Sequence, residues 1–575
     1  MINKPKASTS FAHTNLKSIS LEKQWDVIVI GGGIVGAGIL QEATRRGLKT
    51  LLIEQKDFAW GTSSRSSKMV HGGLRYIAQG DIKLTKHSLQ ERERLLTEAP
   101  GLINRMGYYF LIKQGQFPGR FIMGTLLKFY DWLAGIKDHH FLNFNETVEK
   151  FPTLNTNKLK GSYFYTDAVV DDARLVMRVI QESVQAGAQV INYTKAKTLL
   201  KDPKTKQVIG VIVKDCSDDA KENELIKLKS SVVINATGAW ADKLRSEVIN
   251  EQRVRPLRGS HLVVAQASIT VDAALTILHP EDKRPVFIFP WEGVTVIGTT
   301  DLDHQESLDN EAKISEGEVE YLLQAVNTNF SDKTITIEDV ISTFSGVRPV
   351  ISSDKSTSDK SAADKNATNK NFSKSASKER RDHAIWAENS LITASGGKLS
   401  TFRLTAIEAV DAAMPWLTLN QKSKSKQEEY NDEVFTHKSF EQLFKNKVVY
   451  RQYEKSWLQR LIGRYGNNAA LLLEQANEEE TVKIGNTQFC LAECRWAIKN
   501  EAVIHLDDLL LRRTRLGLLL KNGAEELFTP LSGIFQQELG WNSAKWQDEV
   551  TRYNSIWLQF YYLPESIKHK RPRNL

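Results

Sequence analysis

Two short apolar segments near the start of the chain predict buried strands with a helix between them. Residues 25–30 form a continuous run rich in β-branched side chains, and residues 49–53 form a second apolar segment. Such runs are typical of parallel strands that are covered on both faces. The segment between them is predicted to be a helix that extends to Arg46 and ends at Gly47. The pattern therefore predicts a βαβ unit.

Later apolar segments predict a mixture of strands and helices. The predicted strands are residues 208–213, 231–235, 261–265, 286–290, 294–298 and 391–394. The predicted helices are residues 84–99, 172–185 and 316–327. Strands that alternate with helices in this way indicate an α/β fold, here with a middle part rich in strands.

Changes in composition divide the chain into predicted regions. Residues 1–24 are polar and are predicted to be a disordered lead-in without a secretion signal. Residues 25–419 are predicted to be one catalytic domain, interrupted by a low-complexity insertion at 352–382 that has one aromatic residue, Phe372, and too little apolar surface to offset the entropy of ordering. Residues 420–429 are predicted to be a linker. Residues 430–575 are predicted to be a helical C-terminal domain, in which 491–520 would form two amphipathic helices.

Composition and charge narrow the class of protein. The 575 residues are 41% hydrophobic and 25% charged, which is typical of globular proteins and excludes collagen-like or wholly disordered chains. No apolar run reaches about 18 residues, so we expect no spanning helix and a cytoplasmic location. The net charge of +8 favours anionic partners without choosing among phosphorylated substrates, acidic lipids and nucleic acid. Three cysteines without a CxxC pair predict neither a disulfide framework nor a metal site.

A glycine motif follows the first predicted strand. Residues 31–36 read GGGIVG and fit G-x-G-x-x-G, with a strand before the motif and a helix after it. Gly31 would permit the tight turn, Gly33 the approach of a pyrophosphate, and Gly36 the close packing of helix and strand. Glu54, at the end of the next strand, can accept hydrogen bonds from a ribose diol. The motif and its surroundings predict a dinucleotide site at a helix N-terminus.

The segment after Glu54 indicates which dinucleotide binds. Residues 58–67 read FAWGTSSRSS and are rich in small hydroxyl side chains. Such residues permit a path lined by backbone for an extended flavin dinucleotide. Thr62, Ser63 and Ser67 are therefore expected to bind the cofactor.

Seven short motifs resemble the FAD-dependent glycerol-3-phosphate dehydrogenases of the aerobic, respiratory type. They occur in the family's order between residues 25 and about 413, and residues 509–515, LLLRRTR, look like the family's C-terminal domain. The motifs are SSRSSKMVHGGLRY at 63–76, NATG at 235–238, RGSH at 258–261, FPW at 289–291, GTTD at 298–301, SGVRP at 345–349 and GGKL at 396–399.

The resemblance implies a fold, a cofactor and a reaction. The implied fold is a Rossmann-type FAD-binding domain, interleaved with an antiparallel-sheet substrate domain of the D-amino-acid-oxidase type and followed by a helical C-terminal domain. The implied reaction is oxidation of sn-glycerol 3-phosphate to dihydroxyacetone phosphate. By resemblance, Ala236 and Gly238 lie beneath FAD, and Gly396 and Gly397 lie near its flavin ring.

Oxidation of a secondary alcohol needs a base, and imidazole titrates near neutral pH. His71 and His261 are the candidates; the resemblance favours His261 as the base and puts His71 close to the flavin or substrate. Arginines suit the phosphate, because a guanidinium binds phosphate oxygens bidentately.

Arg75 and Arg348 are therefore the expected clamps for the phosphate or hydroxyl groups. Arg65 is a weaker candidate. Lys398 is expected to reach the flavin or the substrate oxygen. Thr300 and Asp301 are candidates to line the pocket.

The acceptor of the electrons stays open between a membrane quinone, as in the family's dehydrogenases, and oxygen, as in the related glycerophosphate oxidases. A quinone implies peripheral binding to the cytoplasmic face of the inner membrane. Residues 117–137, with Ile122 and Tyr130 among an apolar face, and the basic tail 568–573 would support it. A homodimer is left open. An amine oxidoreductase and a nucleic-acid-binding flavoprotein are disfavoured alternatives.

Overall fold

The protein is described from a computed structural model. The structure describes residues 24–78, 80–217, 224–331, 334–352, 383–418, 433–435, 440–444 and 452–568, together with Leu16, Ile19 and Tyr450. The predicted linker at 420–429 lies outside the described residues. So do nearly all of the lead-in at 1–24, the insertion at 352–382 and the basic tail at 568–573.

The strands of the described residues form two sheets, of eight and ten strands. In chain order the strands are β1 Gln24–Ile30, β2 Thr50–Ile53, β3 Met69–Val70, β4 Ile103–Lys113, β5 His140–Asn143, β6 Leu159–Val170, β7 Gln189–Ile191, β8 Thr194–Lys201, β9 Val208–Asp215, β10 Leu225–Asn235, β11 Val254–Ala265, β12 Ala274–Leu278, β13 Pro285–Trp291, β14 Val294–Gly298, β15 Leu302–Asp303, β16 Val340–Ile351, β17 His383–Glu388 and β18 Leu391–Gly396.

The first sheet has a parallel centre. Strands β18, β10, β1, β2 and β7 lie side by side and pair in parallel, while β17 and the β8–β9 hairpin are antiparallel additions. The middle of β1 and all of β2 are buried, as expected for strands that are covered on both faces. Parallel strands end at one edge of the sheet, so Ile30, Ile53 and Asn235 bring the loops that follow them together.

The second sheet is almost entirely antiparallel. Its long central pairing joins β11 to β16, and β14 lies on the other side of β11. The register sets His261 opposite Phe344 on one side and opposite Gly298 on the other. This sheet brings the RGSH, GTTD and SGVRP motifs together, although up to about ninety residues separate them in the chain.

Helices pack on both sheets and form most of the C-terminal region. They are α1 Ile34–Arg45, α2 Leu74–Ala78, α3 Ile82–Glu98, α4 Arg120–Ala134, α5 Phe144–Lys150, α6 Asp172–Gln185, α7 Ala241–Arg245, α8 Glu316–Asn329, α9 Phe402–Ala413, α10 Phe440–Phe444, α11 Lys455–Tyr465, α12 Asn468–Gln475, α13 Leu491–Asn500, α14 Leu516–Leu519, α15 Phe528–Leu539, α16 Ser543–Phe560 and α17 Glu565–Lys568. The architecture confirms the predicted interleaved α/β fold with a helical C-terminal region.

The prediction for residues 491–520 is wrong in part. Helix α13 forms, but it is followed by a π-helical turn, Asp508–Arg513, and by the single-turn helix α14, and almost all of these residues are buried. The amphipathic pattern predicts that the arginines face solvent. Instead Arg512, Arg513 and Arg515 are 1% exposed or less, because buried carboxylates from distant elements neutralise them.

The exposed apolar residues on and just before helix α4 only partly match the apolar face predicted for residues 117–137. Tyr130 is fully buried rather than exposed, since its hydroxyl donates to Asp167 at 2.7 Å. Phe117, Phe121 and Trp132 are the strongly exposed apolar residues there, at 77%, 86% and 72%. No helix in the described ranges is both long and apolar enough to cross a membrane.

Candidate functional site

A glycine turn connects β1 to α1. Gly31 has φ +112°, and a Cβ there would lie 2.5 Å from the carbonyl oxygen of Ala236. A Cβ on Gly36 would lie 1.9 Å from the carbonyl oxygen of Gly31. Both positions therefore require glycine, the first for its backbone conformation and the second for the close approach of helix and turn. The turn leaves the N-terminus of α1 facing the loops at the carboxyl edge of the first sheet.

Two side chains complete this turn. Glu54 follows β2, and its carboxylate accepts the N–H of Gly32 at 2.6 Å and the N–H of Lys56 at 2.9 Å. Burial raises the pKa of Glu54, although these N–H groups and that of Gln55 act in the opposite direction. Ser63 Oγ accepts the N–H of Ile34, the first residue of α1, at 2.9 Å. The segment after Glu54 is therefore fixed against the start of the helix.

A cavity of about 490 Å³ runs along this turn. Its size lies in the range of small-molecule sites in proteins. It extends from Glu54 and strand β8 past the glycine turn to the loop that follows β18. Its lining includes Gly31, Gly33, Glu54, Trp60, Thr62, Ser63, Ser66, Ala236, Gly238, Trp240, Pro349, Ser395, Gly396, Gly397 and Lys398.

The loop after β18 closes the far end of this cavity. Gly396 and Gly397 both have positive φ, +81° and +79°, a conformation that favours glycine. Lys398 follows, and its ammonium donates to Ser88 Oγ at 3.0 Å and lies 3.6 Å from the centre of the Tyr76 ring. A cation held over an aromatic face is attracted by the ring. The loop thereby brings a lysine and a tyrosine to the same wall.

His261 lies in the second sheet, behind the segment that lines the cavity. It is 1% exposed, and its ring stacks on Phe344 with centroids 4.5 Å apart. A Cβ on Gly298 would lie 2.2 Å from the ring, so Gly298 leaves the space that the imidazole fills. Nε2 is 2.9 Å from Ser67 Oγ, and Nδ1 has no hydrogen-bond partner among the described residues. Burial, with the charges of Arg348 and Lys68, lowers the pKa of His261 well below its ordinary value.

Arg348 lies on the same strand as Phe344 and is only partly covered. Its guanidinium donates to Thr299 Oγ1 at 3.1 Å and to Asp301 Oδ1 at 3.3 Å. Its side chain is 24% exposed. Pro349, the next residue, lines the cavity. The region therefore has a neutral imidazole and a partly exposed arginine on one sheet, next to a cavity lined by backbone.

Comparison with known proteins identifies this arrangement. Residues 26–367 match the family model described as FAD dependent oxidoreductase, and residues 427–546 match the C-terminal domain of alpha-glycerophosphate oxidase. The aerobic glycerol-3-phosphate dehydrogenase of Staphylococcus haemolyticus is 31% identical over 509 residues, which cover 86% of this chain and 87% of that protein. The chain belongs to the FAD-dependent glycerol-3-phosphate dehydrogenase family.

Other members of this family and solved structures agree with the match. The aerobic glycerol-3-phosphate dehydrogenase of Staphylococcus aureus is 31% identical over 526 residues, with 88% of this chain and 90% of that protein covered. The structure of the glycerol-3-phosphate dehydrogenase from Bacillus halodurans, complexed with FAD, has a TM-score of 0.69 at 26% identity and covers 96% of this chain and 99% of that one. An L-alpha-glycerophosphate oxidase from Mycoplasma pneumoniae shares the fold at a TM-score of 0.53 and 16% identity.

Most of the cofactor-binding residues predicted from the sequence line the cavity, and most of the predicted catalytic residues do not. Ten of them line the cavity: Gly31, Gly33, Glu54, Thr62, Ser63, Ala236, Gly238, Gly396, Gly397 and Lys398. Gly36 packs behind the glycine turn, and Ser67 contacts His261; neither is among the lining residues. His71, His261 and Arg348 also lie outside the lining. Arg75 belongs to α2, but its side chain lies outside the described residues.

Some residues near the site have positions and contacts that the sequence did not indicate. Trp240 lines the cavity two positions after Gly238, and Tyr76 contacts Lys398; both stand in or beside motifs of the family. Arg65, a weaker candidate for phosphate binding, is instead buried, where it donates to Glu311 at 2.8 Å and to Tyr561 at 2.7 Å. Thr300 is buried and donates to Glu318 at 2.6 Å.

Proposed function

We propose that this protein oxidises sn-glycerol 3-phosphate to dihydroxyacetone phosphate and passes the electrons to a membrane quinone. The observation that carries the proposal is the conjunction of a cavity walled by glycines at the N-terminus of α1 with His261 and Arg348 on the sheet beside it. The named activity of relatives that match along most of the chain supports the same reaction.

The residues present fit FAD. Gly31 and Gly36 permit a tight turn in which a Cβ would collide with backbone carbonyl oxygens, and this turn sets the N-terminus of α1, the positive end of its helix dipole, beside the cavity where a pyrophosphate would bind. Glu54 lies at the end of the cavity where a ribose diol would be recognised. Gly396 and Gly397 line the other end of the same cavity. We infer that these residues, with Thr62, Ser63, Ala236 and Gly238, hold the cofactor.

When bound, FAD would supply a two-electron acceptor for the hydride that leaves C2 of the substrate. The remaining chemistry falls to this chain. The pKa of His261 is depressed, so its imidazole is neutral at pH 7 and able to accept the proton of the C2 hydroxyl. The partly exposed side chain of Arg348 would bind phosphate oxygens, and Lys398, with His71 and Arg75, would hold the substrate's oxygens.

We infer that the protein docks peripherally on a lipid surface to reach its quinone. Phe117, Phe121 and Trp132 project large apolar side chains around α4, and Lys128 lies on the same helix. Exposed aromatic side chains beside basic ones are typical of helices that lie in a membrane interface. The cytoplasmic face of the inner membrane would be the site of docking.

Arg348→Ala, compared with Arg348→Lys, tests the substrate assignment. With sn-glycerol 3-phosphate as substrate, the loss of a phosphate clamp raises KM about a hundredfold in the alanine variant, in the range of a charged hydrogen-bonded contact. The lysine variant retains part of the affinity, since it keeps the charge without the bidentate geometry. Arg105→Ala, which removes a half-exposed arginine of the same protein, is the control and leaves KM unchanged. An unchanged KM in Arg348→Ala would rule out the phosphate assignment.

A glycerophosphate oxidase is the second candidate, since the chain also matches an oxidase's C-terminal domain. The two candidates differ in the acceptor. A dehydrogenase turns over with a quinone analogue and forms little peroxide in air, whereas an oxidase forms one peroxide for each substrate. Measuring both products in one reaction mixture decides between them.

A further inference from the structure

A buried carboxylate near His261 accepts hydrogen bonds from several groups and has no part in the proposed reaction. Asp172 is the first residue of α6 and is fully buried. It accepts hydrogen bonds from the Ser66 N–H at 2.9 Å, the Ser66 hydroxyl at 2.8 Å, the Lys68 ammonium at 2.8 Å and the Ala173 N–H at 2.9 Å. The Arg515 guanidinium donates to it at 3.3 Å.

These contacts fix the two neighbours of Ser67. Ser66 and Lys68 bind the same carboxylate, so the residue between them has little freedom to move. Ser67 Oγ is the group within 2.9 Å of His261 Nε2. The Lys68 ammonium also lies 4.5 Å from the centre of the Phe344 ring, on which the imidazole stacks. Asp172 therefore controls the environment of His261 through both Ser67 and Lys68.

The helical C-terminal region takes part in this arrangement. Arg515 donates to the carbonyl oxygen of Ser64 as well as to Asp172, and its backbone is held by helix α14. Burying a lysine, an aspartate and an arginine together costs desolvation energy that the ion pairs recover only in good geometry. Lys68 also has φ +58°, which a residue other than glycine rarely adopts. Conformations of this kind persist where surrounding contacts enforce them, and they cluster at functional sites.

We propose that Asp172, together with Lys68 and Arg515, is a positioning group for His261 that acts through Ser67, so that the C-terminal region orders the base of the reaction. The part of this inference that concerns catalysis rests on the proposed function. None of the three residues is assigned contact with substrate. They set the position of the segment that holds the imidazole.

Asp172→Asn and Ser67→Ala test the proposal together. Each lowers kcat for sn-glycerol 3-phosphate about tenfold to a hundredfold, the range expected when a reacting group is misplaced, and changes KM less than about twofold. The double variant is no slower than the slower single variant, because both remove the same constraint. Arg515→Lys retains the positive charge, so its kcat falls by a smaller factor than that of Asp172→Asn.

Glu501→Gln is the matched control. Glu501 is 1% exposed, and its carboxylate accepts two hydrogen bonds at 2.7 and 2.6 Å from Arg174, which lies on α6 like Asp172. Among the described residues its side chain pairs with Arg174 and Arg513, and not with residues 64–68, Asp172 or Arg515. It is expected to lower the melting temperature like Asp172→Asn and to leave kcat unchanged. Its effect on stability adds to that of Ser67→Ala.

A second readout does not depend on turnover. In a ¹H–¹⁵N spectrum of histidine side chains, the His261 signal is assigned through His261→Asn. Asp172→Asn and Ser67→Ala shift that signal, and Glu501→Gln does not. An unmoved His261 signal in Asp172→Asn overturns the proposal. Wild-type protein that fails to oxidise sn-glycerol 3-phosphate, with the signal shifted as expected, instead contradicts the proposed function. If Asp172→Asn does not fold, Arg515→Lys is measured in the same way.

Discussion

The glycine turn at 31–36 and the arginine cluster at 512–515 approach the same segment of the chain from opposite sides. On one side of residues 54–68, Glu54 and Ser63 line the cavity and accept hydrogen bonds from the N–H groups of Gly32 and Ile34. On the other side Asp57 accepts two hydrogen bonds from Arg513, at 2.7 and 2.8 Å, and one from Arg512. The first side of this segment lines the cavity, and the second side is fixed to the C-terminal region by buried ion pairs.

The two regions differ in the distance along the chain between the residues that stabilise them. The glycine turn is held by residues close to it in the chain, since Glu54 and Ser63 accept the N–H groups of Gly32 and Ile34. The segment behind it has no such local support, and its anchor comes from residues more than 440 positions away. The C-terminal region therefore supports the segment that lines the cavity, although none of its described residues lines the cavity itself.

The largest effect is expected on the arginine side. Asp57→Asn leaves Arg512 and Arg513 buried without their shared charge and lowers the free energy of unfolding by about 3–5 kcal/mol. Although burial opposes ionisation, Arg513 and Arg512 outweigh it and lower the pKa of Asp57. Its contribution is therefore present above about pH 4, the ordinary value for aspartate, and is lost as the pH falls through the lower folded pKa. Urea unfolding of both proteins at pH 7 and in acid measures this difference.

Asp309→Asn is the control for this measurement. Asp309 pairs with Lys243 at 3.4 Å, and both side chains are more than half exposed. Solvent screens such a pair, so its removal costs less than about 1 kcal/mol. A loss in Asp57→Asn no larger than this control would contradict the anchoring role of the arginine cluster.

The next effect concerns the glycine turn. Gly36→Ala forces a methyl group against the carbonyl oxygen of Gly31 and lowers the free energy of unfolding by about 1–3 kcal/mol. Because the turn must shift, the purified variant is expected to lack bound flavin, which its absorption spectrum shows. Gly317→Ala, near the start of α8 with no atom within 4 Å of the new Cβ, keeps its flavin and is slightly stabilised. Equal flavin content in both variants would refute the steric argument.

The smallest effect is expected at His505, beside the arginine cluster. Burial opposes its protonation, but the hydrogen bond to Glu549 and the charge of Asp508 raise the pKa of His505. A raised pKa contributes stability that is complete below pH 6.5 and is lost as the pH rises through the folded pKa. We expect the loss to be on the order of 1 kcal/mol, the size of one hydrogen bond to a charged group. His505→Gln removes this dependence in melting curves; a dependence that persists would assign it to another group.

The sequence predicted the parts of the molecule whose causes are local. The βαβ unit, the glycine turn and the position of Glu54 follow from residues within about thirty positions of one another. Three strands of the second sheet, near residues 261–265, 286–290 and 294–298, were also predicted from their apolar runs, whereas its long strands β4, β6 and β16 were not. The fold class is confirmed as a whole.

The rest depends on contacts that no local pattern contains. Arginines among leucines at 509–515 look like the polar face of a helix until Asp57, Asp172 and Glu501 are found opposite them. The bond between Ser67 and His261 joins residues 194 positions apart. The sequence motifs identified both residues as candidates, but their contact is seen only in the folded structure.

The central claim, oxidation of sn-glycerol 3-phosphate at a flavin in this cavity, is tested most directly by anaerobic reduction. Purified protein that carries FAD is mixed with the substrate while the flavin absorption band is followed. The account predicts that the band bleaches, stays bleached on brief exposure to air and recovers when a quinone analogue is added. A band that does not change in protein that carries FAD would contradict the claim.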